Sequence, residues 1–267
     1  MKILYVGDVM GEIGVEVLEA TLPRLRREHQ IDLIVAQAEN VTEGKGISLA
    51  DFQRLRNTGV DFCTGGNWSL YQPDIIQALN DPAQPIVRPA NYPADTPGLG
   101  YKTVEIKGVT FLVISLLGQI VGRDSDKPVD NPLQIIDEIL KAQDLSQYEG
   151  IVVNLHGDFS SEKVVIGHYL DGRATLVVGD HWHVPTADAR VLPGGTAHIT
   201  DVGMCGVLDA SLGITFESVL PRWRDGQQTR NVLATKGPRQ FNAVLVETAE
   251  NGLAQSVELV REITPGN

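Results

Sequence analysis

The sequence predicts an α/β fold, and three observations predict it. Short apolar runs alternate with amphipathic stretches over the first eighty or so residues. Several of those runs are apolar throughout, as strands covered on both faces are, and each gives way to a Gly, Asp or Asn turn. With 267 residues, 42% of them hydrophobic, the chain can bury a substantial core, and a single domain over 1–267 is expected.

Residues 2–6 form a strand ending in Gly7-Asp8, and residues 14–29 an amphipathic helix. Residues 32–38 repeat the strand and end in Glu39-Asn40; a Gly-rich loop through Gly46 then leads to a helix over 48–57. A third strand, 61–64, ends in Gly65-Gly66-Asn67, and 72–79 suits a short helix. Such alternation implies right-handed crossovers and a largely parallel sheet. Two β-rich runs, 102–106 and 110–115, flank Lys107-Gly108, a hairpin signal at which the sheet is expected to turn antiparallel. Residues 117–131 read as a surface loop suited to an active-site flap, and 132–142 as a helix with Pro in its first turn. The strand over 151–155 ends in His156-Gly157-Asp158, a helix follows over 160–170, and the strand over 174–178 ends in Gly179-Asp180-His181-Trp182-His183. Further strands are expected near 196–200, 241–248 and 254–260, the last two as an antiparallel pair.

Composition narrows the function. A formal charge of −12 argues against a broad duplex nucleic-acid surface, because such affinity rests on Lys and Arg neutralising phosphates. No apolar run approaches the eighteen or so residues of a membrane span, and the start lacks the pattern of a secretion signal, so a cytoplasmic protein with no membrane partner is expected. Cys63 and Cys205 are too few for a disulfide framework and read as small buried apolar residues.

Five expected strands end in groups able to bind a metal: Asp8, Glu39-Asn40, Asn67, His156 and His181/His183. In open α/β sheets, ligands bind beyond the carboxyl ends of the strands. Taken singly, each residue is as well explained by a helix cap or a hydrogen-bonded histidine; five strand ends together are not. Imidazole mixed with carboxylate and amide oxygen suits Fe, Mn, Zn or Co rather than Mg or Ca. Seven donors exceed the need of one ion, whereas two ions sharing Glu39 at the roughly 3.5–4 Å spacing of two-metal sites use them all. Gly7, Gly11 and Gly14 do not have the Gly-x-Gly-x-x-Gly spacing of a dinucleotide cradle.

Gly7-Asp8, Glu39-Asn40 with Gly44-Lys45-Gly46, Gly66-Asn67, the run from Val87 through Pro93, Thr96-Pro97-Gly98, His156-Gly157, Ser161-Glu162-Lys163, Asp171-Gly172-Arg173-Ala174, the run from Gly179 through Val184, and the run from Thr200 through Met204 follow one another in the order of a known family. The chain resembles the YmdB-type bacterial metallophosphoesterases of the calcineurin-like superfamily. That resemblance implies layered sheets flanked by helices, with mixed parallel and antiparallel strands. It implies that Asp8, Glu39, Asn40 and His183 surround one ion, and Glu39, Asn67, His156 and His181 the other. It further implies hydrolysis of phosphodiesters, particularly 2′,3′-cyclic nucleotides, with iron or manganese, and a homo-oligomer.

The chain departs from the family pattern in one place that matters for chemistry. The family has a catalytic His after the Asn of the third strand; here the position is Trp68. Indole cannot deliver a proton at neutral pH, so slow turnover, or a metal-containing nucleotide-binding relative with little turnover, is the competing expectation. Asp158, Asp180 and Trp182 also depart from the family, and are expected either at a reshaped substrate face or, for Asp180, on the solvated surface and, for Trp182, in peripheral packing. Lys45 and Arg88 are candidate substrate-binding cations, with a carboxylate partner the alternative for Arg88. Asp188 and Asp201 are candidates for orienting ligand histidines.

Overall fold

The computed structural model describes residues 1–121 and 128–266. Of the flap expected over 117–131, residues 122–127 lie outside the described residues.

The chain begins with β1 (Lys2–Val6), β2 (Asp8–Val9), α1 (Gly11–His29), β3 (Leu33–Gln37), α2 (Leu49–Thr58) and β4 (Phe62–Thr64). A 3-10 turn over Pro73–Ile75 runs into α3 (Ile76–Asn80), followed by β5 (Tyr101–Ile106), β6 (Val109–Leu117) and α4 (Pro132–Ala142). Then come β7 (Gly150–His156), α5 (Ser160–Tyr169), β8 (Leu176–Asp180), β9 (Arg190–Val191), β10 (Ala197–Ile199) and β11 (Met204–Val207). The chain closes with α6 (Phe216–Asp225), β12 (Arg239–Thr248) and β13 (Ala254–Thr264).

Two sheets result. The first runs β2-β11-β12-β1-β3-β4, with β13 also paired to β12; the second runs β5-β6-β7-β8-β10-β9. Period-2 alternation divides each strand between two cores. Ile3 and Tyr5 of β1 face the second sheet and meet Phe111, Val113, Val152 and Val178. Leu4 and Val6 face the other way, against Leu18 and Leu22 of α1, in a core that also holds Phe52 and Leu55 of α2. On the far side, Leu112, Val153 and Val177 pack against Ile136 and Ile139 of α4 and Ile166 of α5. The layering is therefore helices, sheet, sheet, helices.

Lys107 and Gly108 join β5 to β6 with φ of 54° and 82°, the left-handed pair that a two-residue hairpin needs. That hairpin does not turn the first sheet antiparallel, as the residue pattern suggested; it opens the second sheet. The antiparallel strand of the first sheet is β12, which returns from the C-terminal region to pair with β1, Leu4 opposite Leu245. The sequence reading also missed β2, β9, β11 and α6. Helix α6 carries an internal Pro221, which removes a backbone donor and weakened its helical signal. Cys63 and Cys205 are free and buried, as expected, and burial pushes both thiols up to about 12. Among the described residues no helix is long and apolar enough to cross a membrane.

Candidate metal centre

Every expected metal-binding side chain follows a strand at one rim of the sandwich. Asp8 opens β2 directly after β1, Glu39 and Asn40 follow β3, Asn67 follows β4, His156 ends β7, and His181 and His183 follow β8. The two sheets thus contribute carboxylates from one side and imidazoles from the other.

His156 bridges the halves. Its Nε2 lies 2.9 Å from Glu39 Oε1 and 3.2 Å from Asn67 Oδ1. The His181 ring packs edge-on against it with centroids 4.5 Å apart. Glu39, His156 and His181 each offer a ligand atom, all within 4.8 Å of one another. On the neighbouring side His183 Nε2 lies 3.8 Å from Asp8 Oδ1, and the His181 backbone N–H donates to Asp8 Oδ2 at 3.2 Å.

Backbone conformation makes this closeness feasible. His181 and His183 have φ of 98° and 63°, a region that side chains with a Cβ seldom occupy, as found where a site dictates the chain path. At Gly66, an added Cβ would overlap Glu39 Oε2 and the His156 ring. Only glycine lets the β4 loop pass there.

The residues fit a metal centre. Oδ1 of Asp8 and Oδ1 of Asn40 are buried with no hydrogen-bond partner among the described residues. Asn40 spends its Nδ2 on the Gly44 carbonyl at 3.0 Å, so the remaining atom is a bare acceptor. Burial, with Asp180 nearby, pushes the Asp8 carboxyl well above the usual carboxylate range. A carboxylate whose ionised form is disfavoured by burial and by neighbouring Asp180, Asp201 and Glu39 is what a cation would relieve. Burial pushes both His181 and His183 down to about 4, leaving neutral imidazoles with lone pairs to offer.

Asp180 is where the structure departs most from expectation. It lies neither at a substrate face nor in solvent but is fully buried, with Oδ1 2.6 Å from His156 Nδ1. Its Oδ2 accepts from Tyr5 Oη at 2.9 Å and from Asn154 Nδ2 at 3.1 Å. Burial would raise this carboxyl, but the His156 ring beside it, with help from Lys163 and Tyr5, outweighs burial and holds it below the usual range. The group that orients a candidate ligand histidine is thus Asp180, not Asp188 or Asp201. Asp188 instead takes the Thr186 and Thr200 hydroxyls at 2.6 and 2.5 Å. Asp201 pairs with the buried Lys163 at 2.8 Å and accepts the Trp182 and Gly203 N–H groups. His183 is oriented by a backbone group, the Leu212 carbonyl at 3.2 Å from its Nδ1. No sequence signal pointed to residues near 212.

Trp68 donates its backbone N–H to Glu39 Oε2 at 3.0 Å and packs edge-on to Tyr71. Lys45 places its ammonium 4.6 Å from the Trp68 ring centre, at the cleft over the centre. Trp182 donates Nε1–H to the Asp158 carbonyl, and Asp158 Oδ1 lies 3.2 Å from His181 Nε2. Arg88 meets neither expectation. It is buried, and its guanidinium donates to the carbonyls of Pro89, Ala90, Thr96 and Pro97, so it holds its own loop together.

The helix-flanked double sheet, shared with a solved phosphatase, and relatives named as phosphodiesterase and phosphatase make this chain a phosphoric ester hydrolase with the metallophosphoesterase fold. Residues 4–260 match the family model described as YmdB-like protein, and the chain belongs to that family. It is 36% identical over 247 residues to a 2′,3′-cyclic-nucleotide 2′-phosphodiesterase of Bacillus subtilis (strain 168), covering 92% of this chain and 91% of that relative. The crystal structure of a hypothetical protein from Thermus thermophilus matches with a TM-score of 0.89 at 34% identity, over 99% of this chain and 100% of that one. A phosphatase from Mycoplasma pneumoniae matches with a TM-score of 0.91 at 30% identity, over 99% and 94% of the two chains.

Proposed function

We propose that this chain is a dinuclear-metal-dependent phosphodiesterase acting on small nucleotide-like esters such as 2′,3′-cyclic nucleotides. One observation carries the reading: two buried oxygens with no hydrogen-bond partner among the described residues, on Asp8 and Asn40, stand in the same rim as Glu39 and three histidines. The activity named for the Bacillus subtilis relative supports the choice of substrate. Asp8, Glu39, Asn40 and His183 would hold one ion, and Glu39, Asn67, His156 and His181 the other. Mixed nitrogen and oxygen donors suit iron, manganese, zinc or cobalt, and the resemblance to the family favours iron or manganese among them. When bound, such a pair supplies Lewis-acid polarisation of phosphoryl oxygens and a lowered pKa for water.

The chain's own residues set the geometry. Asp180 fixes the His156 ring so that Nε2 faces the centre, and the Trp68 N–H fixes Glu39. Lys45 brings positive charge to the cleft where a phosphodiester anion would enter. Opening the cyclic ester adds a water oxygen to phosphorus, breaks the bond to the ribose 2′-oxygen and leaves a 3′-monophosphate; the released oxygen then takes a proton. Trp68 cannot give that proton, and loss of a positioned acid at this place costs about 10²–10⁴ in rate.

Trp68 also sustains a second reading, a metal-containing nucleotide-binding or regulatory protein with little turnover. The test compares metal-reconstituted wild type with Trp68→His on bis-p-nitrophenyl phosphate and 2′,3′-cyclic nucleotides. Turnover by wild type that rises in Trp68→His supports the enzyme. If both proteins are inert while cyclic nucleotide binds tightly, the second reading stands. Protein purified without chelator and found free of metal would sink the metal centre itself.

A further inference from the structure

The cleft over the candidate metal centre has a volume of about 450 Å³, within the range of small-ligand sites. Glu39, His181 and His183 form its polar floor. Val219, Trp223 and Leu233 form part of an apolar wall, contributed by the chain between β11 and β12. That segment is anchored. His183 Nδ1 meets the Leu212 carbonyl at 3.2 Å, and the Thr215 N–H donates to the Val232 carbonyl at 2.8 Å. Arg222 Nη2 donates to Thr229 Oγ1 at 3.0 Å and Asn231 Oδ1 at 2.8 Å.

Three indoles line this cleft, and two are committed. Trp68 carries the Lys45 ammonium over its ring and Tyr71 at its side, and Trp182 carries Lys163 Nζ 4.2 Å from its ring centre. Trp223 is 81% exposed, the most exposed large hydrophobic among the described residues, and none of the described ring or cation contacts involves it. An indole held in water by an anchored segment is an open stacking surface for a flat aromatic group.

We infer that Trp223 is a specificity-determining residue, its indole stacking on the base of a nucleotide whose phosphate lies at the floor formed by Glu39, His181 and His183. The inference rests on the phosphodiesterase reading and deepens it. Because every base has a π-face, the stack selects nucleotides over base-free cyclic esters while tolerating different bases.

The experiment uses metal-reconstituted full chain with 2′,3′-cyclic AMP and with glycerol 1,2-cyclic phosphate, which has no base. Trp223→Ala is expected to raise KM for the nucleotide about 5- to 150-fold with little change in kcat, leaving glycerol cyclic phosphate unaffected. Trp223→Tyr restores most of the loss. Independently of turnover, adenosine 3′-monophosphate quenches wild-type indole fluorescence, and Trp223→Phe loses the part of that quenching that belongs to the exposed indole, whereas Trp68→Phe and Trp182→Phe keep it. An unchanged nucleotide KM in Trp223→Ala, or an equal rise for both substrates, overturns the role of Trp223 and leaves the phosphodiesterase reading in place. A changed sedimentation coefficient with unchanged KM also overturns it, and assigns the residue to contact between copies. Wild type that opens glycerol cyclic phosphate but no nucleotide overturns the cyclic-nucleotide reading and this inference together.

Discussion

Oδ1 of Asp180 stands 2.6 Å from Nδ1 of His156, and neither side chain is reached by solvent. The register of β7 and β8 places the two residues opposite one another. A carboxylate on Nδ1 fixes both tautomer and ring plane, so Nε2 is the nitrogen left facing Glu39 and Asn67. Asp180→Asn removes the charge but keeps the shape. Metal affinity of the apo protein, measured by titration, is expected to fall about 10–100-fold while the fold survives. Unchanged affinity would show that the pair only packs.

The strand after α5 was expected to stop at residue 178, which left Asp180 in a loop and free to face water. In the structure β8 runs two residues further. Leu176 and Val178 face the inter-sheet core, so alternation carries Asp180 to the same side. Val152 faces that core too, and two steps further in each case reach Asn154 and His156. The signal was present, but only an extra pair of strand residues made it readable. Strand ends bearing Asp8, Glu39 and His156 were legible because an apolar run stops abruptly at a polar residue. The Leu212 carbonyl beside His183 was not, since backbone groups in an irregular segment leave no trace in residue type. The division into two sheets was equally hidden from the residue pattern, because Phe111 and Val152 look the same whichever sheet they join.

Gly66→Ala tests how tightly the rim is built. The added methyl would overlap Glu39 Oε2 and the His156 ring. Both side chains must then shift, and misplacement on the order of 1 Å costs about 10² in rate. Phosphodiester hydrolysis should fall by about that factor, with far-UV circular dichroism unchanged. Full activity in this variant would mean that the close approach is not needed.

Lys102 gives a pH dependence remote from the centre. It is buried, and its ammonium donates to the carbonyls of Ala78, Asp81 and Gln84 at 3.1, 2.6 and 3.0 Å. Burial lowers its pKa from 10.5 to about 8. Between those values the unfolded chain holds a proton that the folded chain has released, so stability rises with pH. The contribution is complete above 10.5 and is lost as pH falls through about 8. Denaturation of wild type and Lys102→Met across this range should show wild type gaining relative to the variant as pH increases. Parallel curves would mean that the amine stays protonated throughout.

Lys163 and Asp201 form an ion pair with both side chains inaccessible to solvent, 2.8 Å apart, behind the loop that carries His181 and His183. Such a pair repays its desolvation only while both members are present. Lys163→Met strands a buried carboxylate that still accepts the Trp182 and Gly203 N–H groups, so the loop cannot simply expel it. The expected loss is about 3–5 kcal/mol in denaturant unfolding. Adding Asp201→Asn removes the stranded charge and keeps an acceptor for one of those two donors, so it should recover part of the loss. If the double variant is no more stable than the single one, the destabilisation does not come from the unpaired charge but from lost contacts of the ammonium, such as the one over the Trp182 ring.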